Sequence, residues 1–205
     1  MIPTAKYDAI ILPEIIEEID VYIEEFYAKS KIAAEEMVRV GLTASQVRLF
    51  EKIVSSTTRF SEIINHIKNQ AGKDKTRRWM EVASLLLSQL DELEAKADSM
   101  RGRYLITDHF LGQLEGQGVD KTAIQGLKDT TLNKYIKQKE LLSYFSRAIE
   151  SELENKSLMR IIEETKMKPA TALRIKMLLA KGWANQIVTH CLFKRALSNE
   201  IDQMD

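Results

Sequence analysis

Apolar residues recur along this chain at alternating three- and four-residue spacing, the period of an amphipathic helix. Ile15, Ile19, Tyr22, Phe26, Ala33 and Met37 mark one face of a helix from Pro13 to about Val40. The proline sits in the first turn, where its missing amide costs nothing. A second series, Phe50, Ile53, Thr57, Phe60, Ile64, Ile67 and Ala71, predicts a long helix stopped by Gly72. A third, Trp79, Ala83, Leu86, Leu90, Leu93, Ala97 and Met100, is the most regular in the chain. Only Lys73-Asp74-Lys75-Thr76 separates these two. They therefore read as an antiparallel coiled-coil hairpin, each arm about 39 Å long over roughly 26 residues.

The corner before the hairpin is Gly41-Leu42-Thr43-Ala44-Ser45-Gln46-Val47-Arg48. Gly41 suits the left-handed position just past a helix end, because it has no Cβ to clash. Thr43 and Gln46 form a capping box, with the Thr oxygen taking the amide at the third helical position and the Gln reaching back to the cap amide. Leu42 and Val47 occupy the two positions of a hydrophobic staple.

Beyond residue 100 the pattern breaks. Gly102, Gly112, Gly116 and Gly118 punctuate a short apolar piece from Tyr104 to Leu114, read as a linker with about two helical turns. A short helix from about Asp120 to Lys128 follows. Leu132, Tyr135, Ile136, Leu142, Phe145, Ile149 and Leu153 predict another long helix ending near Asn155. Three short helices close the chain, one capped by Ser157 and running through Thr165, one from Pro169 to Gly182, and one from Trp183 to Leu197. The expectation is an all-α helical bundle organised on a long antiparallel coiled-coil hairpin, with a C-terminal cluster of shorter helices. It divides into a long-helix region, 1–118, and a C-terminal region, 119–205, or forms one continuous domain.

The 205 residues include three prolines and eight glycines, too few for a strand-and-turn protein. The formal net charge is zero, so no global field draws in nucleic acid or membrane. The charge is unevenly placed, however. Residues 1–40 carry nine acids against four bases, and residues 156–197 carry nine bases against two acids. An acidic head and a basic tail suit head-to-tail self-association or a basic face for phosphates, and equally two solvated faces of opposite bias. The single cysteine, Cys191, excludes an internal disulfide framework and a cysteine-based zinc site. The N-terminal residues lack a basic segment followed by an apolar run, and no stretch approaches the roughly 20 apolar residues of a membrane span. A cytoplasmic protein is expected.

Metal chemistry finds no support, since His66, His109 and His190 lie far apart and no Glu-x-x-His pair occurs. No cofactor is implied. Glycine-rich phosphate loops and a serine elbow are absent from the sequence. Arg103 and His109, with five residues between them, form the one enzyme-like pairing. They resemble the motif of HEPN ribonucleases, in which the His would act on a ribose hydroxyl and the Arg would hold the phosphate. Thr171 to Leu197, with Gly182 between two helices and Asn185, Gln186, Thr189, Lys194 and Arg195 on the second, outlines a helix-turn-helix. A plain helical hairpin is the competing reading of that segment.

Leu42-Thr43-Ala44-Ser45-Gln46-Val47-Arg48 resembles the Leu-Thr-Thr-Ser-Gln-Ile-Arg stretch of the helical small subunit of type III-A CRISPR effector complexes. The preceding Ala33-Ala34-Glu35-Glu36 and the later Phe145-Ser146-Arg147-Ala148-Ile149-Glu150 are similar to flanking features of that family. The resemblance implies a non-enzymatic subunit stacked along a guide–target duplex, with Arg48 and Arg147 on the backbone. Arg78-Trp79-Met80-Glu81-Val82 is similar to the oligomerising hairpin of T4-like phage small terminases, which would imply a DNA-packaging small subunit.

Together these features favour a non-enzymatic, nucleic-acid-associated structural subunit of a larger assembly. Its partners would be other protein subunits or further copies of itself, with RNA or DNA. The candidate phosphate contacts are Arg48, Arg77, Arg78, Lys168, Arg174, Lys176, Lys181, Lys194 and Arg195. The alternative is an adaptor whose coiled hairpin docks partner helices, which exposure of Trp79, Leu86 and Leu93 would favour. The third class is the Arg103/His109 ribonuclease.

Overall fold

The computed structural model describes residues 4–101, 103–105, 108–129, 135–137, 139, 141, 145, 152–165 and 169–201. The chain is an all-α helical bundle. Its described elements are α1 (Thr4–Arg39), α2 (Ala44–Ser56), α3 (Phe60–Lys73), α4 (Arg78–Arg101), α5 (Asp108–Gly116), α6 (Lys121–Asp129), α7 (Glu152–Thr165) and α8 (Pro169–Ile201). One small ribbon interrupts them, β1 (Arg103–Leu105) paired antiparallel with β2 (Tyr135–Lys137) in the register Tyr104↔Ile136. The elements gather into two compact units, residues 1–97 with 173–205, and residues 98–172. The division expected at 118/119 falls inside the second of these.

In the first unit three long helices lie along one another. Salt bridges Glu18–Lys96 (3.4 Å) and Arg39–Glu81 (3.1 Å) run in opposite sequence order on α1 and α4, so the two helices are antiparallel. Lys29 pairs with Glu92 between them. Helix α8 is antiparallel to α4, as Lys176–Glu94 (2.7 Å) and the bond from Trp183 Nε1 to Gln89 Oε1 (2.7 Å) show. Gln89 also donates from Nε2 to the Lys29 carbonyl at 2.8 Å, and Gln186 donates to the Ile23 carbonyl at 2.9 Å. These amides reach a neighbouring helix at one point each, so they fix the register of an otherwise apolar seam. Helices α2 and α3 pack Val47, Phe50, Phe60, Ile63 and Ile67 inward. Phe50 is the hub of an aromatic cluster, edge-on to Trp183 (5.7 Å) and tilted against Trp79 (6.3 Å).

Several sequence expectations are corrected. The helix expected across Phe50–Ala71 breaks at Thr57, so the long antiparallel partner of α4 is α1. The cause is local: Ser55-Ser56-Thr57-Thr58 are hydroxyl residues that compete for backbone hydrogen bonds. Thr57 Oγ1 accepts from the Arg59 amide at 3.2 Å and bonds the Glu62 carboxylate, which supports a turn into the next helix. Gly182 does not end a helix. Helix α8 runs continuously from Pro169 to Ile201, and the helix-turn-helix outline has no turn. A Cβ on Gly182 would lie 3.0 Å from Ile23 Cγ1, so the glycine is there to let α8 approach α1 closely. Helix α1 starts at Thr4, ahead of Pro13, and α7 starts at Glu152, ahead of Ser157. The long helix expected from Leu132 gives way to a strand at Tyr135–Lys137, because those residues pair with Arg103–Leu105.

The second unit has its own core. Phe110, Leu111 and Leu114 of α5 are buried with Ile124 and Leu127 of α6, Leu141, Phe145, and Leu158, Ile161 and Ile162 of α7. Helix α5 closes with Gly118 at φ +82°, its amide bonded to the Glu115 carbonyl and the Val119 amide to the Leu114 carbonyl. That is a Schellman ending, in which a residue without a Cβ takes the left-handed position.

Candidate nucleic-acid interface

The corner between α1 and α2 forms as its residues dictate. Gly41 has φ +76°, its amide bonds the Val38 carbonyl, and the Leu42 amide bonds the Met37 carbonyl. The Thr43 amide donates to Gln46 Oε1 at 2.8 Å, and the Gln46 amide donates to Thr43 Oγ1 at 3.2 Å, completing the capping box. Leu42 and Val47 are fully buried. In the Leu42–Arg48 stretch, helix stop, cap and staple therefore occupy Leu42, Thr43, Gln46 and Val47. Arg48 is left pointing to solvent.

A second corner, between α3 and α4, meets the first. Asp74 organises it: Oδ1 accepts from the Thr76 amide (2.9 Å) and hydroxyl (2.6 Å), and Oδ2 from the Trp79 amide (2.8 Å). These donors hold the Asp74 carboxyl below its ordinary range, with the Thr76 hydroxyl contributing most. Arg77 adopts φ 61°, which only a tightly bonded turn sustains in a residue with a side chain. Arg78 then turns back, and its Nη1 donates to the Gly41 carbonyl at 2.9 Å. This bond ties the two corners together and satisfies a carbonyl at the end of α1.

Around the joined corners the surface is basic. Residues 44–78 carry eight bases against three acids. Arg48 and Lys52 on α2, Lys68 and Lys73 on α3, and Lys75 and Arg77 on the turn are all exposed. Among the described ion pairs, none engages these six cations. Lys52, Lys68, Lys73 and Lys75 were not among the residues singled out from the sequence, although a charge count over 44–78 would have found them.

The basic tail is treated differently. Lys176 is taken up by Glu94 (2.7 Å) and Lys194 by Glu35 (3.4 Å). Arg195 is half-buried near Cys191, whose thiol burial pushes above its ordinary value. Arg174 is exposed and Lys181 half-buried. Arg78 serves the Gly41 carbonyl. Lys168 and Arg147 lie outside the described residues. The structure thus gathers Arg48 and Arg77 at the corners and draws Lys176 and Lys194 into internal pairs.

Trp79, Leu86 and Leu93 are buried, so the stripe of the expected coiled hairpin faces its own unit. Arg103 lies on β1 and His109 on α5, so the pair does not share one helix, and their side chains lie outside the described ones. Among the described residues no group of three His, Cys, Asp or Glu is placed to hold a metal, and no helix is long and apolar enough to cross a membrane. Set beside known proteins, the chain matches no family model, no curated protein and no solved structure.

Proposed function

We propose that this protein is a non-enzymatic structural subunit that holds RNA or DNA by its phosphate backbone. The contact surface is the α2–α3 side and the joined corners. The observation that carries this reading is the set of six exposed cations, Arg48, Lys52, Lys68, Lys73, Lys75 and Arg77, that no described ion pair engages. An unpaired, solvated base keeps its full capacity to displace counterions from a polyanion, whereas a base already held by a carboxylate loses part of it. The resemblance of Leu42–Arg48 to the type III-A CRISPR small subunit supports the same reading, since Arg48 is the cation of that stretch free to reach a phosphate.

Fluorescence anisotropy with labelled single- and double-stranded RNA and DNA at about 50 mM salt tests the proposal. Retention that weakens steeply as salt rises supports it. No binding of any of the four at low salt refutes it.

A further inference from the structure

The exposed face of α1 is the electrical opposite of the corners. Glu17, Asp20 and Glu24, at i, i+3 and i+7, share one outer face of the helix and are exposed. Among the described ion pairs, none engages them. Beside them, on the same outer face, Val21 stands 56% exposed, while Ile32 (55%) lies about two turns further on next to the exposed Lys31. The basic surface has apolar residues of its own, Leu49 at 48% between Arg48 and Lys52, and Met80 at 55% just after Arg77. Each surface thus combines charge with exposed hydrocarbon, and the two charges are of opposite sign. Glu24 lies about 25 Å along the α1 axis from Gly41, so a single copy cannot bring its own two surfaces together.

We infer that the outer face of α1 on one copy docks on the basic corner of a second copy, head to tail, and that nucleic acid competes for the same cations. The self-contact stands on charge and apolar complementarity alone. The competition rests on the reading of the corner as a nucleic-acid surface. Two different patches meet in such a contact, so it is heterologous and continues from copy to copy unless the rotation closes a ring. Free protein would then assemble, and nucleic acid would dissolve the assembly.

Sedimentation equilibrium on the full chain tests this with a charge swap. At about 50 mM salt the unmodified protein should rise in mass with concentration beyond a dimer, and the rise should fade at about 500 mM. Chains carrying Glu17→Lys, Asp20→Lys and Glu24→Lys, or carrying Arg48→Glu, Lys73→Glu and Arg77→Glu, should each associate at least about tenfold more weakly. An equal mixture of the two should assemble again, because the unmodified acidic face of one meets the unmodified corner of the other and the two reversed surfaces meet each other. This recovery also shows that both variants fold. A monomeric unmodified chain, growth indifferent to the α1 reversal, or a mixture that does not assemble overturns the self-contact. Adding a short RNA duplex should reduce the assembly to duplex-bound monomers, and assemblies that persist on bound duplex overturn the competition. If the protein assembles as described but takes up no nucleic acid, the nucleic-acid reading and the competition fall while the self-contact stands.

Discussion

Lys176 and Lys194 on α8, and Arg48 and Arg77 at the corners, are all cations of one structural unit, but the fold uses them in opposite ways. Helix α8 lies between α1 and α4 with its neighbours' acids in reach. Its lysines meet Glu94 and Glu35 and help hold the seam. Helices α2 and α3 bury their apolar faces, and among the described ion pairs none joins their exposed bases Arg48, Lys52, Lys68 and Lys73 to an acid. A count of charges along the chain rates the tail as the more basic segment. The three-dimensional count rates the corners higher, because a cation is available to a ligand only where no carboxylate of the protein has taken it.

Charge reversal at the corners should have the largest effect. Arg48→Glu, Lys73→Glu and Arg77→Glu together should lower nucleic-acid affinity about a hundredfold at about 50 mM salt, with an unchanged helical circular-dichroism spectrum. Next in size is the seam. Gln89→Leu leaves Trp183 Nε1 buried without its partner and removes the bond to the Lys29 carbonyl, and should cost about 1–3 kcal/mol in urea unfolding. A pair of glycine substitutions sharpens the contrast between packed and open helix faces. Gly72→Ala, in open space on α3, should stabilise by about 0.5–1 kcal/mol, whereas Gly182→Ala should gain nothing or lose stability against Ile23.

A smaller effect belongs to His66, half-buried against Phe50 and Trp79, where burial holds its imidazole below the ordinary value of 6.5. The unfolded chain then binds the proton more readily than the folded one. Stability is full at neutral pH and is lost as pH falls below about 6.5. Unfolding midpoints between about pH 7 and 5 should show this slope, and His66→Phe should flatten it. Smallest of all is Lys176→Ala, which removes a partly exposed pair and should cost less than about 1 kcal/mol. It should leave nucleic-acid affinity within about twofold, as measured by anisotropy.

What the sequence revealed follows the range of each interaction. The corner at Gly41, Thr43 and Gln46 is built from bonds spanning a few residues, and it forms as its residues indicate. The break at Thr57 was equally local, but the apolar period ran through it and masked the run of four hydroxyl residues. Gly182 misled because its reason lies in another helix. A glycine that ends a helix and a glycine that lets two helices touch look alike until Ile23 is placed beside it. The bond from Arg78 to the Gly41 carbonyl is not legible in the sequence, because its acceptor lies on a different corner. The same holds for Lys176 and Lys194, whose acids belong to distant parts of the chain. Burial of Trp79, Leu86 and Leu93 was periodic and therefore legible. Which helix buried them was not, since α1 and α3 both present compatible apolar faces.

Under the proposed function the corner cations, and not those of α8, meet the polyanion. The salt dependence of binding to a DNA duplex tests it directly, because each phosphate contact contributes about 0.9 to the slope of log K against log salt. The slope should become shallower by about 2 to 3 when Arg48, Lys73 and Arg77 are reversed, and should hold when Arg174, Lys176 and Lys194 are replaced by alanine. A slope that survives the corner reversal and collapses on replacement of the α8 bases would contradict the account.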